Sequence, residues 1–139
     1  MFDIPHTVYV VDPDSAITEA IATLLGTYDL NVRTFLDAET FLEFHADGNV
    51  NDGCIMIEVK LPGQGGLALL RQLRSDGVNL PIIILTNAHE PAMHRQAVRF
   101  GADRVVEKPL INDTLTYTVA NVLHEYRCRE LQLGTLTRH

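Results

Sequence analysis

The sequence predicts an α/β fold built on a five-stranded parallel sheet with helices on both faces. Five short apolar runs alternate with five segments of helical periodicity along 139 residues, which is typical of a parallel sheet with right-handed crossovers. Two of these runs, Cys54–Ile57 and Ile82–Leu85, are apolar throughout, as expected of strands that are buried on both faces. A composition of 46% hydrophobic and 21% charged residues fits one folded domain with a substantial core.

The apolar runs define the predicted strands. Each run has the length of a strand and is bounded by turn residues. The second run is more polar than the others, which predicts an edge strand. The strands are predicted at Thr7–Asp12, Asn31–Phe35, Cys54–Glu58, Ile82–Thr86 and about Arg104–Glu107.

The helical segments repeat apolar residues at helical spacing, so that each has one face for the core. Asp37 is a predicted N-cap, Pro91 suits a first turn and Gly101 suits a C-terminal cap. The helices are predicted from about Ser15 to near Gly26, Ala38 to about His45, Gly66 to about Asp76, Pro91 to about Phe100, and about Asn112 to Leu131. Their apolar positions are Ile17, Ala20, Ile21, Leu24, Leu25, Phe41, Leu42, Phe44, Leu67, Leu70, Leu73, Met93, Ala97, Val98, Phe100, Leu115, Val119, Val122, Leu123 and Tyr126.

The charge of the chain argues against direct binding of nucleic acid. The net charge is −7 and the pI is about 5.2, so the surface repels phosphate backbones. No apolar stretch has the length of a membrane span, and no secretory signal is visible. Cys54 and Cys128 belong to no metal or redox motif, so we expect reduced thiols and a cytoplasmic location.

Polar residues follow four of the predicted strands. Asp12, Pro13 and Asp14 end the first strand, Glu58 the third and Thr86 the fourth, and the fifth ends in Glu107-Lys108-Pro109. Sites in open α/β sheets form at the carboxyl ends of the strands. Each residue alone is a weak signal, but together they place acids, a hydroxyl and a lysine on one rim. Such a set could hold a hard cation and a phosphoryl group.

Four sequence motifs resemble those of the receiver domains of two-component response regulators, and in particular receivers that precede a LuxR-type helix-turn-helix. The motifs are Val-Val-Asp, Leu-Pro-Gly-Gln-Gly-Gly-Leu, Ile-Ile-Leu-Thr and Phe-Gly-Ala-Asp-Arg-Val-Val-Glu-Lys-Pro, in that order. The resemblance implies the CheY-like strand order 2-1-3-4-5. It also implies a receiver domain over residues 1–125, with residues 126–139 ending the last helix and leading toward a DNA-binding domain.

The resemblance carries roles over to several positions. Asp12 matches the first acid of the pair that holds Mg²⁺ in receivers. Thr86 matches the hydroxyl that follows the phosphoryl group. Lys108 and Pro109 match the lysine that pairs with the phosphoacceptor and the proline after it. Lys60 matches a position that offers its backbone carbonyl to the metal.

Three positions depart from the family pattern. Pro13 replaces the second acid, and proline supplies neither a carboxylate nor an N–H. Glu58 replaces the aspartate that accepts the phosphoryl group. Val105 replaces the aromatic residue that commonly switches rotamer, so an element of the usual relay is missing.

The departures predict weak or absent Mg²⁺ binding, because Mg²⁺ demands near-octahedral geometry. The remaining weak candidates as ligands are Asp12, Asp14, Glu58 and the backbone of Lys60. Asp14 lies at a predicted helix N-terminus, where we favour the role of an N-cap. Glu58 can pair with Lys108 and accept a hydrogen bond from Thr86. It is then either a partial mimic of a phosphorylated side chain, which carries more charge, or a relic salt-bridged to Lys108.

The predicted function is therefore that of a pseudo-receiver, a regulatory module without enzymatic activity in a transcriptional regulator. The alternatives are a Mg²⁺-dependent phosphoacceptor that uses a non-standard acid, and a receiver that senses a small ligand. The resemblance implies a homodimer through the fourth helix, fifth strand and fifth helix, and a partner histidine kinase or other regulator. Contact with DNA is expected only through a further C-terminal domain, and no membrane contact is expected.

Overall fold

The computed structural model describes residues 6–108 and 114–137, with side chains described to residue 132. Its five strands form one parallel sheet in the order β2-β1-β3-β4-β5, and five helices connect and follow them. The predicted fold class is confirmed. The strands are β1 Thr7–Val11, β2 Asn31–Phe35, β3 Cys54–Glu58, β4 Ile82–Thr86 and β5 Arg104–Glu107. The helices are α1 Ser15–Gly26, α2 Ala38–Ala46, α3 Gly66–Ser75, α4 Pro91–Arg99 and α5 Thr114–Thr137.

The sheet divides the core into two layers. Side chains alternate between the faces of each strand, so Ile55 and Ile57 of β3 enter one layer, while Cys54 and Met56 enter the other. The first layer packs against α2, α3 and α4, and the second packs against α1 and α5. β3 and β4 are buried at every residue, whereas β2 exposes most of its residues at the sheet edge. The predicted edge position of β2 is therefore confirmed.

Helix ends follow local sequence signals. Asp37 accepts a hydrogen bond from the backbone N–H of Thr40 at 2.7 Å and caps α2. Pro91 stands in the first turn of α4, and Gly101 follows that helix with φ +108°, a conformation that favours glycine. These predicted boundaries are confirmed. Among the described residues, no helix is long and apolar enough to cross a bilayer.

Several details differ from the sequence prediction. β1 ends at Val11, one residue before Asp12. On α1, Ala20 is exposed and Thr18 is buried instead. On α3, the buried face is centred on Leu69, Leu70 and Leu73, because these positions are i, i+1 and i+4 on one side of the helix. Leu67 lies at the border of that face and is only partly buried.

The last helix is longer than predicted. It runs to Thr137 rather than ending near Leu131. Its predicted start at Asn112 lies outside the described residues, which resume at Thr114. Tyr126 packs against the core from the second half of this helix, so α5 stays on the body of the domain well past its first turns.

Candidate functional site

The carboxyl ends of four neighbouring strands meet at one end of the sheet. Asp12 follows β1, Glu58 and Thr86 end β3 and β4, and Lys108 follows β5. All four side chains are buried or nearly so. A crevice of about 480 Å³ opens above them. Its lining residues are Asp12, Pro13, Asp14, Ile17, Glu58, Lys60, Asn87 and Lys108.

The Lys108 ammonium group lies between two carboxylates. Its Nζ donates a hydrogen bond to Oδ2 of Asp12 at 2.7 Å and lies 3.6 Å from Oε1 of Glu58. The side chains of the lysine, the aspartate and the glutamate are 8%, 1% and 4% exposed. Lys108 is therefore bonded first to Asp12, and its contact with Glu58 is a longer ion pair.

The Asp12 carboxylate is already occupied by contacts within the chain. Oδ2 accepts from Lys108, and Oδ1 accepts from the backbone N–H of Asp14 at 2.9 Å. The Asp12 backbone N–H in turn donates to the carbonyl of Phe35 at 3.0 Å. These bonds fix the turn after β1, and each Asp12 carboxylate oxygen already accepts one hydrogen bond from the chain.

Asp14 caps α1. Its Oδ1 accepts the backbone N–H of Ala16 at 3.0 Å, and its backbone is extended, as the N-cap position requires. This N-cap role, rather than that of a metal ligand, is the one that its position before a helix predicts. The Asp14 side chain still lies on the rim of the crevice, but one of its oxygens is committed to the helix.

Glu58 is a buried acid whose ionised form is only partly compensated. Burial raises the pKa of the Glu58 carboxyl above its usual range, while Lys108 acts to lower that pKa and Asp12 to raise it. Oε2 accepts a hydrogen bond from the backbone N–H of Val59 at 3.1 Å. The nearby lysine therefore does not offset the whole cost of removing this carboxylate from water.

Thr86 does not make the bond expected of it. Its hydroxyl donates to the carbonyl of Ala88 at 3.3 Å and accepts the backbone N–H of Ala88 at 3.2 Å. The predicted hydrogen bond to Glu58 was wrong, because the loop after β4 satisfies the hydroxyl locally, as threonine side chains do in turns. Val105 is partly buried and packs against the core layer of α3 and α4.

The loop that follows Glu58 is held by contacts that the sequence analysis missed. Gly66 starts α3 directly against the strand end: a Cβ added there would lie 2.2 Å from the Glu58 carbonyl oxygen. Glu39 of α2 accepts the backbone N–H of Gln64 at 3.3 Å. The glycine spacing matches no phosphate-binding motif, and close backbone approach is its structural reason. The contact from Glu39 leaves no local sequence signal.

The acid set at the crevice does not fit a Mg²⁺ site of the receiver type. Asp12 is engaged on both oxygens, and the next residue, Pro13, has no carboxylate. Within the described ranges 6–108 and 114–137, there is no group of three or more His, Cys, Asp or Glu side chains arranged to hold a metal ion. Lys60 is exposed on the rim. Pro109, which the resemblance pairs with Lys108, lies outside the described residues.

The fold and rim define the class of domain: a doubly wound α/β domain with a lysine and acids at its strand ends. The family model of the response regulator receiver domain matches residues 8–120. The chain belongs to that family.

Several curated relatives are transcriptional regulators. The chain is 37% identical over 109 residues to the transcriptional regulatory protein TdiR of Thauera aromatica, covering 78% of the chain and 47% of that protein. It is 30% identical over 118 residues to the transcriptional regulatory protein FixJ of Bradyrhizobium diazoefficiens, covering 85% and 57%. The chain thus spans about half the length of these curated relatives.

Solved structures agree with this assignment. The response regulator StyR superposes with a TM-score of 0.82 at 29% identity, covering 95% of this chain and 66% of that one. The BeF3-activated receiver domain of DrrB superposes with a TM-score of 0.77 at 25% identity, covering 87% and 99%.

Proposed function

We propose that this chain is a pseudo-receiver, which regulates an attached output without accepting a phosphoryl group at its strand-end site. One observation carries the proposal. The buried carboxylate of Glu58 stands where the family has its acceptor aspartate, while Lys108 is bonded to Asp12 at 2.7 Å. The anion and cation of the site are thus both supplied by the chain itself.

The metal-binding side of the site supports the same conclusion. Phosphoryl transfer to a carboxylate needs a cation to neutralise the charge that gathers on the transferred group. Asp12 is engaged by Lys108 and by the turn after β1, and Asp14 caps α1. Pro13 contributes no oxygen from its side chain. We infer that the chain binds Mg²⁺ weakly or not at all at this site.

The contacts of Glu58 favour a structural role over mimicry of a phosphorylated residue. The carboxylate of a mimic should accept a hydrogen bond from the hydroxyl of Thr86, which here bonds to Ala88 instead. In this proposal Glu58 is a buried carboxylate beside Lys108 at the ends of β3 and β5, and it carries no signal of its own.

The output of the whole protein is inferred from its relatives. Those reported above are transcriptional regulatory proteins about twice as long as the matched region, so we propose that the chain serves as the regulatory part of a transcription factor. Homodimerisation through α4, β5 and α5 is part of the proposal, and the exposed side chain of Val98 on α4 is compatible with it. A histidine kinase or another regulator would be its upstream partner.

A Mg²⁺ titration followed by amide chemical shifts tests the proposal. We expect no saturable shift at Lys60, Asn87 or Lys108 at millimolar Mg²⁺. The variant with Pro13→Asp and Glu58→Asp, which restores both family acids, should show one, and it serves as the positive control.

Saturable Mg²⁺ binding by the native chain that is lost on Asp14→Ala would contradict the proposal. It would support the phosphoacceptor alternative, in which Asp14 helps to hold the metal. A small ligand that shifts the melting temperature of the native chain, but not of Lys60→Met, would instead assign the crevice to ligand sensing.

A further inference from the structure

Two metal-ligand side chains lie next to each other on the outer surface of α5. The Nε2 atom of His124 is 3.7 Å from the Sγ atom of Cys128, and both residues are exposed. They are four positions apart, so they project from the same side of consecutive turns. This pair is remote from the strand-end crevice, which lies beyond the other end of α5.

The distance between the two atoms matches the distance between two ligand atoms of a tetrahedral zinc ion. Zinc bonds cysteine sulfur at about 2.3 Å and histidine nitrogen at about 2.0–2.1 Å, and tetrahedral angles then place the two ligand atoms about 3.6 Å apart. The observed 3.7 Å therefore needs almost no rearrangement. One chain supplies only two ligands, and structural zinc sites in proteins have four.

The surroundings of the pair indicate where two further ligands would come from. Tyr117 and Leu131 lie seven residues before and after His124, and they are 59% and 64% exposed. With Asn121 and Cys128 they alternate three and four positions apart, as in the a and d positions of a coiled coil. These five residues, which we call the outer stripe, fall within an arc of roughly 80° at 3.6 residues per turn.

The outer stripe faces away from the domain. The buried residues of α5 are centred roughly opposite to it around the helix, and they are Leu115, Val119, Val122 and Leu123 with the partly buried Tyr126. A second helix can therefore lie along the stripe without meeting the body of either domain. In a parallel, two-fold symmetric pair, each position of the stripe meets its own copy.

We propose that two copies of this chain pair in parallel along the outer stripe and bind one Zn²⁺ through His124 and Cys128 of each copy. The set is Cys₂His₂, in which the two thiols lose their protons to solvent and the two thiolates balance the charge of the ion. Asn121 would face Asn121 of the second copy, about one helical turn from the zinc ligands. Tyr117 and Leu131 offer too little apolar surface for a tight dimer, so the pairing depends on the metal.

The pairing is tested on the whole chain by sedimentation and by Co²⁺ absorption, in the presence of a non-thiol reductant. We expect a monomer–dimer shift that saturates at one Zn²⁺ per two chains and reverses with EDTA. Co²⁺ should give the absorption of a tetrahedral thiolate site. Cys128→Ser and His124→Gln should each weaken metal-dependent pairing at least about 10-fold, since each removes two of four ligands.

Two control variants make the test specific. His94 is an exposed histidine of α4 with a valine, Val98, four positions on, so His94→Gln should leave the zinc response unchanged. Val98→Glu would disturb a dimer through α4, β5 and α5 but not the outer stripe, so it should leave the response unchanged as well. Binding of one metal per monomer, binding unaffected by Cys128→Ser, or a dimer that persists in EDTA and dissociates only with reductant would each overturn the proposal.

Discussion

Replacing Lys108 with methionine should expose how far the strand-end site depends on its one buried cation. Methionine keeps an unbranched apolar stem but ends one atom short of the ammonium group, so the change removes the charge and the hydrogen bond while most of the side chain stays in place. The ammonium group lies 2.7 Å from Asp12 and 3.6 Å from Glu58, and all three side chains are less than one tenth exposed. The variant therefore leaves two carboxylates in a buried site without a counter-charge.

The expected loss is large on the scale of protein stability. Removing one partner of a buried ion pair costs about 3–5 kcal/mol, because the other partner stays buried and uncompensated. The site opens onto a crevice, through which water can partly solvate the carboxylates, so we expect the lower end, about 3 kcal/mol. That is a substantial part of the roughly 5–15 kcal/mol that holds a domain folded.

The loss should depend on pH with a defined sign. Lys108 acts to lower the pKa of Glu58, and burial acts to raise it, so in the variant the pKa of Glu58 rises further. An acid with a raised folded-state pKa adds stability below its ordinary pKa, and that stability is lost as the pH rises through the folded value. The deficit of Lys108→Met should therefore be largest near pH 7.5 and shrink toward pH 4.5.

Urea unfolding of both proteins at several pH values measures this directly. Lys60→Met is the matched control, because Lys60 is exposed on the rim of the same crevice and the described part of the chain shows no side-chain partner for it. Its free energy of unfolding should change by less than about 0.5 kcal/mol. A loss below about 1 kcal/mol for Lys108→Met, or a loss that is the same at both pH values, would refute the reasoning.

Three further substitutions probe the site and the framework around it. At pH 7.5, Glu58→Gln should be as stable as the native protein or more stable. Any gain should fade toward pH 4.5, because burial raises the pKa of the native carboxyl. Urea unfolding measures the difference, and a clear loss of stability at pH 7.5 would contradict this prediction. Gly66→Ala should lower the free energy of unfolding by about 2–3 kcal/mol, because the added Cβ would lie 2.2 Å from the backbone carbonyl oxygen of Glu58. Its control is Gly65→Ala, where nothing lies within 4 Å of the added Cβ, and the loss should be less than about 1 kcal/mol. Arg74→Lys should cost about 2–3 kcal/mol, since the guanidinium donates to three backbone carbonyls and one carboxylate that an ammonium cannot all reach. The exposed Arg95→Lys on α4 is its control, and equal thermal stability of the two arginine variants would argue against that role.

The sheet could be predicted from the sequence because its strands are strongly patterned. β3 and β4 are continuous apolar runs bounded by loops, and each is buried at every residue. Asp37 and Gly101 mark helix ends by local chemistry that does not depend on the rest of the chain. The end of α5 was misplaced by several residues, because nothing in the local sequence stops that helix at Leu131.

The sequence could predict which residues lie together at the site, but not which of them form hydrogen bonds with each other. Parallel strands end on one rim, so Asp12, Glu58 and Lys108 were expected to lie together, and they do. Which carboxylate the lysine prefers depends on distances of less than 1 Å, and sequence spacing does not determine these. The hydroxyl of Thr86 bonds to Ala88 instead of Glu58, because the loop after β4 brings the backbone N–H and carbonyl of Ala88 within its reach.

The most direct test of the central claim is intact-mass measurement after incubation with a small-molecule phosphodonor and millimolar Mg²⁺. We expect no phosphoryl adduct on the native chain, because Glu58 and Lys108 already form the anion and cation of the site and Pro13 supplies no ligand. The variant with Pro13→Asp and Glu58→Asp should acquire an adduct under the same conditions, which shows that the donor and the fold are competent. A stoichiometric adduct on the native chain would contradict the account.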